Sequence, residues 1–279
     1  MLPAKASERD LLGRFREIIS DPVNLLIERI PAAGFVQDND VFLHNGNRVP
    51  LVGDAAYYGA FSQILIINRG VHEPLEEYVF QEAIRNLRED PVMIELGAYW
   101  AHYSMWLKKS RPRATQILVE PNPANLAAGK NNFERNGFAG EFIGAMVAKG
   151  QFEIDRFFAT RNLPHLDILH ADIQGFEVQM LDAACATLAD KKIDYLFIST
   201  HSQLLHDQVV ETLAGHGYRV EVSSDFDNDT TSFDGLVFAS SPNTKPIFRD
   251  FVPFGRTTIA EGPADRALSA VLAMRNAAA

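Results

Sequence analysis

Two short apolar runs that end in a carboxylate constrain the fold of this chain more than any other feature. The first is Val92–Leu96, which carries Glu95 and is followed by Gly97 and Ala98. The second covers residues 116–120 and ends in a glutamate. A short apolar run that stops at a small-residue turn is typical of a strand in an α/β sheet, where a ligand contacts bare backbone. The pair indicates a nucleoside site, because an acid at the tip of the second strand can accept hydrogen bonds from both ribose hydroxyls.

From residue 91 onward, strand-like runs alternate with helical periodicity. The pattern predicts strands at residues 92–96, 116–120, 141–147, 166–171 and 194–199, and helices at residues 101–109, 123–136, 176–188 and 209–214. Two further strands, at residues 218–222 and 235–239, are too close in sequence for a helical crossover and predict an antiparallel pair at the sheet edge. The predicted fold is therefore α/β, with a doubly wound, mostly parallel seven-stranded sheet.

The residues on either side of this alternating region predict additions to the sheet. Before it, helical spacing over residues 8–29 is broken by Pro22, Asn45-Gly46 predicts a hairpin turn, and residues 73–87 predict a helix. We therefore divide the chain into an N-terminal α+β cap or lid (residues 1–90), a core (residues 91–245) and a C-terminal extension (residues 246–279). The extension includes a predicted helix at residues 266–276.

Composition excludes several classes of protein. The 36 acidic residues outnumber the 26 basic ones, giving a net charge of −10 without a dense Lys/Arg cluster, which argues against a nucleic acid partner. No apolar run approaches the ~20 residues of a bilayer span, and the first ten residues do not resemble a signal peptide. The single cysteine, Cys185, fits a reducing compartment. We expect a cytoplasmic protein without a membrane partner, while the oligomeric state is left open.

Four polar residues at strand ends are predicted to meet. In a parallel sheet every strand delivers its last residue to the same edge, which should gather Glu95, Glu120, Asp172 and His201. Each residue alone is as readily a helix cap or a solvated side chain. Four such residues at four strand ends favour a functional site over coincidence.

The turn after the first strand limits the choice of cofactor. The segment Gly97-Ala98-Tyr99-Trp100-Ala101 lacks the three-glycine spacing that brings a pyrophosphate onto a helix, and the chain has no Walker sequence. A nucleoside cofactor without phosphates fits such a turn, and S-adenosylmethionine has that chemistry. The predicted cofactor-binding residues are Glu95, Gly97, Ala98, Tyr99, Glu120, Pro121 and Asp172.

Four segments together resemble a known family. They are Glu95-Leu96-Gly97-Ala98, Val119-Glu120-Pro121-Asn122-Pro123, Asp172-Ile173-Gln174-Gly175-Phe176-Glu177 and Ile198-Ser199-Thr200-His201. In this order, over roughly residues 72–240, they are similar to the FkbM family of S-adenosylmethionine-dependent methyltransferases. The resemblance implies a class I methyltransferase sheet, a cofactor lying across Gly97 and Glu120, and O-methylation of a hydroxyl on a sugar, glycan or small natural product.

Three positions depart from the family pattern. The family usually has a glycine at Ala101, an acid at Gln174 and a glutamate near Ser199 and Thr200. These departures keep an alternative open, in which a degenerate methyltransferase fold serves as a non-catalytic binding or scaffold module. Binding of NAD would instead indicate a dehydrogenase.

Methyl transfer to oxygen requires that the acceptor be aligned with the methyl group and lose its proton. His201 is the predicted general base, although a strand-end histidine also serves simply to hydrogen-bond a loop. Asp172 is predicted to orient His201, hold the cofactor ammonium group or bind a metal. A divalent ion held by Asp172, His201 and Asp234 is a further option, but three separated ligands are weak support, so no metal is assigned.

The acceptor itself is not identified by the sequence. Tyr99, Trp100 and Tyr103 are predicted to wall a pocket, whereas Trp106 is expected in the core. Specificity should reside in residues 1–90 and 223–232.

Overall fold

A computed structural model describes residues 10–53, 55–57, 59–262 and 266–278. The N-terminal elements are α1 (Leu11–Ser20), a 3₁₀ helix (Pro22–Leu25), β1 (Val36–Gln37), β2 (Asp40–Phe42), β3 (Arg48–Pro50), a second 3₁₀ helix (Gly59–Gln63), α2 (Ile64–Ile67) and α3 (Pro74–Asn86). Strands β1, β2 and β3 form a small antiparallel sheet. Its second turn contains Gly46 at φ +84°, which confirms the hairpin predicted from Asn45-Gly46.

The central sheet lies between helices on both faces. Its elements are β4 (Val92–Leu96), α4 (His102–Ser110), β5 (Thr115–Val119), α5 (Pro123–Arg135), β6 (Glu141–Ile143), α6 (Ile154–Arg161), β7 (Leu166–Ala171), α7 (Glu177–Asp182), α8 (Cys185–Ala189), β8 (Ile193–Thr200), α9 (Gln203–Gly215), β9 (Arg219–Ser224) and β10 (Gly235–Ser240); α10 (Arg256–Glu261) and α11 (Arg266–Ala277) follow. The strand order is β6-β5-β4-β7-β8-β10-β9, with β10 antiparallel to both neighbours. This arrangement confirms the predicted doubly wound seven-stranded sheet.

The strand order reverses between β4 and β7, which are parallel neighbours at the middle of the sheet. The chain first builds outward from β4 through β5 to β6 and then continues on the other side with β7 and β8. At such a switch point the loops after the two central strands turn away from each other and leave a crevice for a ligand.

Three elements differ clearly from their predicted lengths. Helix α9 covers Gln203–Gly215 and so extends beyond the predicted residues 209–214. Strand β6 ends at Ile143 instead of residue 147. The helix predicted over residues 176–188 is divided into α7 and α8, because Asp155 of α6 accepts hydrogen bonds from the backbone N–H groups of Ala186 and Thr187 and so caps a new helix there.

The cap and the C-terminal extension share the core of the sheet. On α3, Phe80 packs against Phe197 of β8 with ring centroids 5.3 Å apart, and Tyr78 packs against Phe248 at 6.0 Å. Near the turn after β4, the ring centroids of Tyr57 and Trp100 lie 4.5 Å apart. The N-terminal residues are therefore held directly beside the turn. Among the described residues, no helix is both long and apolar enough to cross a membrane.

Candidate functional site

The turn after β4 brings the backbone unusually close to the end of β7. Gly97 has φ +72°, and a Cβ atom there would lie 1.8 Å from the carbonyl oxygen of Asp172. The N–H groups of Gly97 and Ala98 both donate to the carbonyl of Val119, at 2.9 and 3.1 Å. Only glycine fits at this point, because both the conformation and the space exclude a side chain.

Glu120 is fixed beside this turn. Its Oε2 accepts a hydrogen bond from the Tyr99 N–H at 3.1 Å, and its Oε1 accepts one from the Asn122 N–H at 2.8 Å. Each carboxylate oxygen has further lone pairs, so the side chain can still accept from a ligand hydroxyl. The two acidic runs singled out in the sequence therefore meet, as the parallel arrangement of β4 and β5 predicts.

Two cavities lie on either side of the turn. The smaller, of about 370 Å³, is lined by Gly97, Tyr99, Glu120, Pro121, Asn125, Met146, Val147, Asp172, Ile173, Gln174 and Phe176. The larger, of about 570 Å³, also reaches Gly97, Tyr99, Asp172 and Gln174 and extends to Glu73, Glu95, His170, His201 and Asp234. The β4 turn and the residues after β7 thus form the boundary between the two cavities.

His201 is surrounded by carboxylates at the edge of the larger cavity. Its Nδ1 lies 2.5 Å from Glu177 Oε1, and its Nε2 lies 3.1 Å from Asp172 Oδ1 and 3.5 Å from Asp234 Oδ1. Burial by itself lowers the pKa of His201, but hydrogen bonds to Asp172 and Glu177 and the charge of Asp234 outweigh it and raise the pKa to about 11.

This protonation state bears on the predicted roles. At neutral pH the imidazolium of His201 has no lone pair with which to accept a proton. The role of general base therefore remains a prediction that requires a lower pKa in the ligand-bound protein. The structure does bring together the three side chains suggested as metal ligands, since one ligand atom each from Asp172, His201 and Asp234 lie within 4.8 Å of one another.

Glu95 contacts the start of α4. It is buried, and its Oε2 accepts a hydrogen bond from the Ser104 N–H at 3.1 Å. Burial raises the pKa of Glu95, while the charge of His170 and the Ser104 hydrogen bond lower it by less. His170 is buried with Nε2 2.6 Å from Glu76 Oε1, as a hydrogen-bonded core residue.

Sequence reasoning missed Glu73 and Glu177. Glu73 lines the larger cavity and accepts a hydrogen bond from the Tyr103 hydroxyl at 2.9 Å. Burial raises its pKa to about 8; His72 opposes the shift, and the charges of Glu76 and Asp172 add to it. The available signal was the position of Glu73 immediately before Pro74 at a helix start, but an acid there is normally explained by the helix dipole.

The aromatic wall of the larger cavity comes from several segments. Tyr99, Trp100 and Tyr103 line it as predicted, together with Tyr57 and Phe61 of the cap. Phe226 and Phe233, which lie before β10, complete the wall. Trp106 lies in the core instead, 5.3 Å from Phe80, as expected. Residues 1–90 and the segment around residues 223–232 both contribute side chains to this cavity.

The three departures from the family pattern have local structural correlates. Ala101 adopts φ +66° and Gln174 adopts φ +48°. Glycine adopts this left-handed conformation at a lower energetic cost than residues with a side chain do. Ser199 donates a hydrogen bond to Glu76 Oε2 at 3.0 Å, which brings a carboxylate from α3 to the end of this strand.

Comparison with known proteins gives one family match. The model described as "Methyltransferase FkbM domain" matches residues 147–220. A comparison with curated protein sequences gives no match.

Among solved structures, the chain is similar to precorrin-6y C5,15-methyltransferase from Geobacter metallireducens (19% identity, 58% of this chain and 86% of that one, TM-score 0.43). It is also similar to the METTL16 methyltransferase domain (14% identity, 60% and 68%, TM-score 0.46). A third similar structure is TrmK from M. capricolum in complex with S-adenosylhomocysteine (13% identity, 62% and 72%, TM-score 0.42).

Proposed function

We propose that this chain, whose residues 147–220 match the FkbM methyltransferase domain, is a member of that family and transfers a methyl group from S-adenosylmethionine to a hydroxyl oxygen of a sugar, glycan or small natural product. The observation that carries the proposal is the position of Glu120, held by the Tyr99 N–H beside the glycine turn at the edge of two adjoining cavities.

The smaller cavity suits the nucleoside of the cofactor. Glu120 has acceptor capacity for ribose hydroxyls, and Val147, Ile173 and Phe176 offer an apolar lining for a base. The proposed cofactor-binding residues remain Glu95, Gly97, Ala98, Tyr99, Glu120, Pro121 and Asp172. When bound, S-adenosylmethionine supplies an electrophilic methyl group.

The larger cavity suits a polyhydroxylated acceptor. Its carboxylates can accept hydrogen bonds from hydroxyl groups, and its aromatic side chains can pack against the apolar face of a ring. The role of these residues is to align one acceptor oxygen and exclude water.

The acceptor proton needs a receiving group, which we assign to His201, with Asp172 and Glu177 fixing the ring. A positive charge introduced beside a histidine lowers its pKa, because it disfavours the imidazolium. A bound sulfonium cofactor would therefore lower the pKa of His201 and favour proton acceptance in the loaded enzyme over the free enzyme. The same charge would lower the pKa of Glu73, which makes that carboxylate the second candidate.

Calorimetric titration with S-adenosylhomocysteine tests the cofactor assignment. We expect one site per chain, and an affinity loss of about 10- to 100-fold in Glu120→Gln, which keeps the size of the side chain but removes its charge. Glu134→Gln, an exposed glutamate of α5, is the matched control and should bind as the wild type does. Absence of binding, equal loss in both variants, or binding of NAD instead would contradict the proposal.

A non-catalytic binding module is the second candidate, favoured by the raised pKa of His201. Both candidates bind the cofactor, but only an enzyme converts it to S-adenosylhomocysteine in the presence of an acceptor. Incubation with a panel of sugars and phenols, followed by mass spectrometry of cofactor and acceptor, distinguishes them.

A further inference from the structure

A second group of ionisable side chains lies outside the proposed catalytic residues, where the N-terminal part of the chain meets α4. His44 comes from the loop between β2 and β3, Glu77 from α3 and His102 from the first position of α4. Their side chains are 1%, 0% and 2% exposed. Three sequence-distant segments thus place two imidazoles and one carboxylate in the interior.

The two ring nitrogens of His44 face different groups. Its Nδ1 lies 3.3 Å from the carbonyl oxygen of Glu28, which can only accept, so this contact suits the tautomer with the proton on Nδ1. Its Nε2 lies 2.8 Å from Glu77 Oε2, and neither of these two buried atoms makes a hydrogen bond. In that tautomer both atoms present lone pairs to the same point, as two ligands of one cation do.

His102 is the third member of the group. Neither ring nitrogen of His102 has a hydrogen-bond partner, although the side chain is buried. Its Nε2 lies 3.9 Å from the same Glu77 Oε2. A metal ion would give a partner to one nitrogen of each histidine and to Glu77 Oε2 at once.

We propose that His44 Nε2, Glu77 Oε2 and His102 Nε2 bind a zinc ion. The three ligand atoms lie within 4.8 Å of one another. Tetrahedral zinc with bonds of about 2.0–2.1 Å needs about 3.3 Å between ligands, a value between the 2.8 and 3.9 Å found for the two pairs that include Glu77. Two histidines and one glutamate are an established zinc ligand set that leaves a fourth position for water.

The groups around the three ligands support this assignment. Glu77 Oε1 accepts hydrogen bonds from the backbone N–H groups of His72 and Glu73, at 2.8 and 3.0 Å, and lies 2.6 Å from His72 Nδ1. These partners saturate Oε1 and leave Oε2 to the ion. The Glu28 carbonyl holds the outer nitrogen of His44, which is how a metal-binding histidine is usually oriented.

The ion would fasten the N-terminal sheet and α3 to the start of α4. His72 and His102 also line the larger cavity, so the same ion would fix one wall of the proposed acceptor site. The Asp172, His201 and Asp234 group is a weaker metal candidate, because Asp172 and Glu177 already engage both ring nitrogens of His201.

Metal analysis of the full chain tests the proposal. Protein stripped with a chelator and reloaded with Zn²⁺ should retain one ion per chain and show a higher melting temperature than the stripped protein. Loading with Co²⁺ should give the visible absorption bands of a four-coordinate nitrogen and oxygen site.

The decisive variant is His102→Phe, which keeps a ring stacked on Trp100 but removes both nitrogens. It should lose the ion and the zinc-dependent rise in melting temperature, and in the stripped state it should be no less stable than the wild type, because no hydrogen bond is lost. His165→Phe, in a separate group of His165, Asp167 and Asp194, is the control and should retain one ion. If His102→Phe does not fold, His44→Asn preserves the donor to Glu28 and removes only Nε2.

Absence of retained zinc in the wild type, or an ion that persists in these variants, would overturn the proposal. Binding of S-adenosylhomocysteine, measured on the same samples, reports separately on the proposed function.

Discussion

At position 97 the absence of a Cβ atom allows two backbone segments of the proposed site to lie in close contact. Gly97 and Gly137 have the same φ of +72°, but a Cβ at residue 97 would collide with the Asp172 carbonyl, while at residue 137 it would meet nothing within 4 Å. Alanine substitutions at the two positions therefore distinguish the cost of a left-handed backbone conformation from the cost of a steric clash.

We expect Gly137→Ala to lower the free energy of unfolding by about 1 kcal/mol, the cost of a left-handed alanine. Gly97→Ala should lower it by about 2–4 kcal/mol, because displacement of packed backbone adds to that cost, and should also weaken binding of S-adenosylhomocysteine. Urea unfolding measures both values. Equal losses in the two variants would show that the close approach to Asp172 is unimportant.

The His201 pKa predicts a pH-dependent stability. In the folded chain this pKa is about 11, above the ordinary 6.5, so the folded state holds the proton more tightly than the unfolded state does. The resulting stabilisation is fully present below pH 6.5 and is lost as the pH rises through 11. The stability difference between wild type and His201→Gln should therefore shrink from pH 7 to pH 10 in urea unfolding. A difference that stays constant would mean that His201 is neutral at pH 7.

At the scale of elements, the junction after α1 depends on one buried carboxyl group. Asp21 accepts a hydrogen bond from the Val23 N–H at 2.9 Å and another from the Thr231 hydroxyl, which links the cap to the segment before β10. Burial raises the pKa of Asp21 from 3.8 to about 6, against the opposing effect of these hydrogen bonds.

Stability from this group is present below pH 3.8 and is lost as the pH rises through 6, because the folded state binds the proton more tightly. We expect the wild type to lose up to about 3 kcal/mol relative to Asp21→Asn between pH 4 and pH 7. Urea unfolding of both proteins across this range gives the difference. A wild type that gains stability over the same range relative to the variant would contradict the raised pKa.

Most helices and strands could be predicted from the local sequence pattern. The features that could not be predicted depend on contacts between residues distant in sequence. The Asn-Gly hairpin and the antiparallel pair β9 and β10 each follow from neighbouring residues. The division between α7 and α8 depends on Asp155, some thirty residues earlier in the chain. Glu73 and Glu177 were missed for the same reason, since contacts between α3, α7 and strand ends are set by tertiary packing.

At the scale of the molecule, the position of Glu120, Asp172 and His201 along one edge of the sheet was predictable because parallel strands end there, although Glu120 lines the smaller cavity and His201 the larger. The walls of the larger cavity were not, because they depend on how the cap packs. There the Arg14 guanidinium lies 4.0 Å from the ring centre of Phe61 and 4.2 Å from that of Phe233, joining the cap to the segment before β10.

We expect Arg14→Ala to increase hydrogen exchange in α1 and in the segment before β10, with a loss of only about 1 kcal/mol in overall stability. Arg16→Ala, on the exposed side of α1, should leave exchange unchanged. Exchange mass spectrometry of the three proteins measures the effect. An unchanged pattern in Arg14→Ala would show that this cation–π contact does not hold the cap.

Because the β4 turn borders both cavities, we expect the affinities of the proposed donor and acceptor sites to be linked there. A change to the turn would act on both cavities, whereas Phe61 and Phe233 line only the larger of the two. Redesign of the acceptor specificity should therefore substitute the aromatic residues that line the larger cavity and leave the glycine turn unchanged.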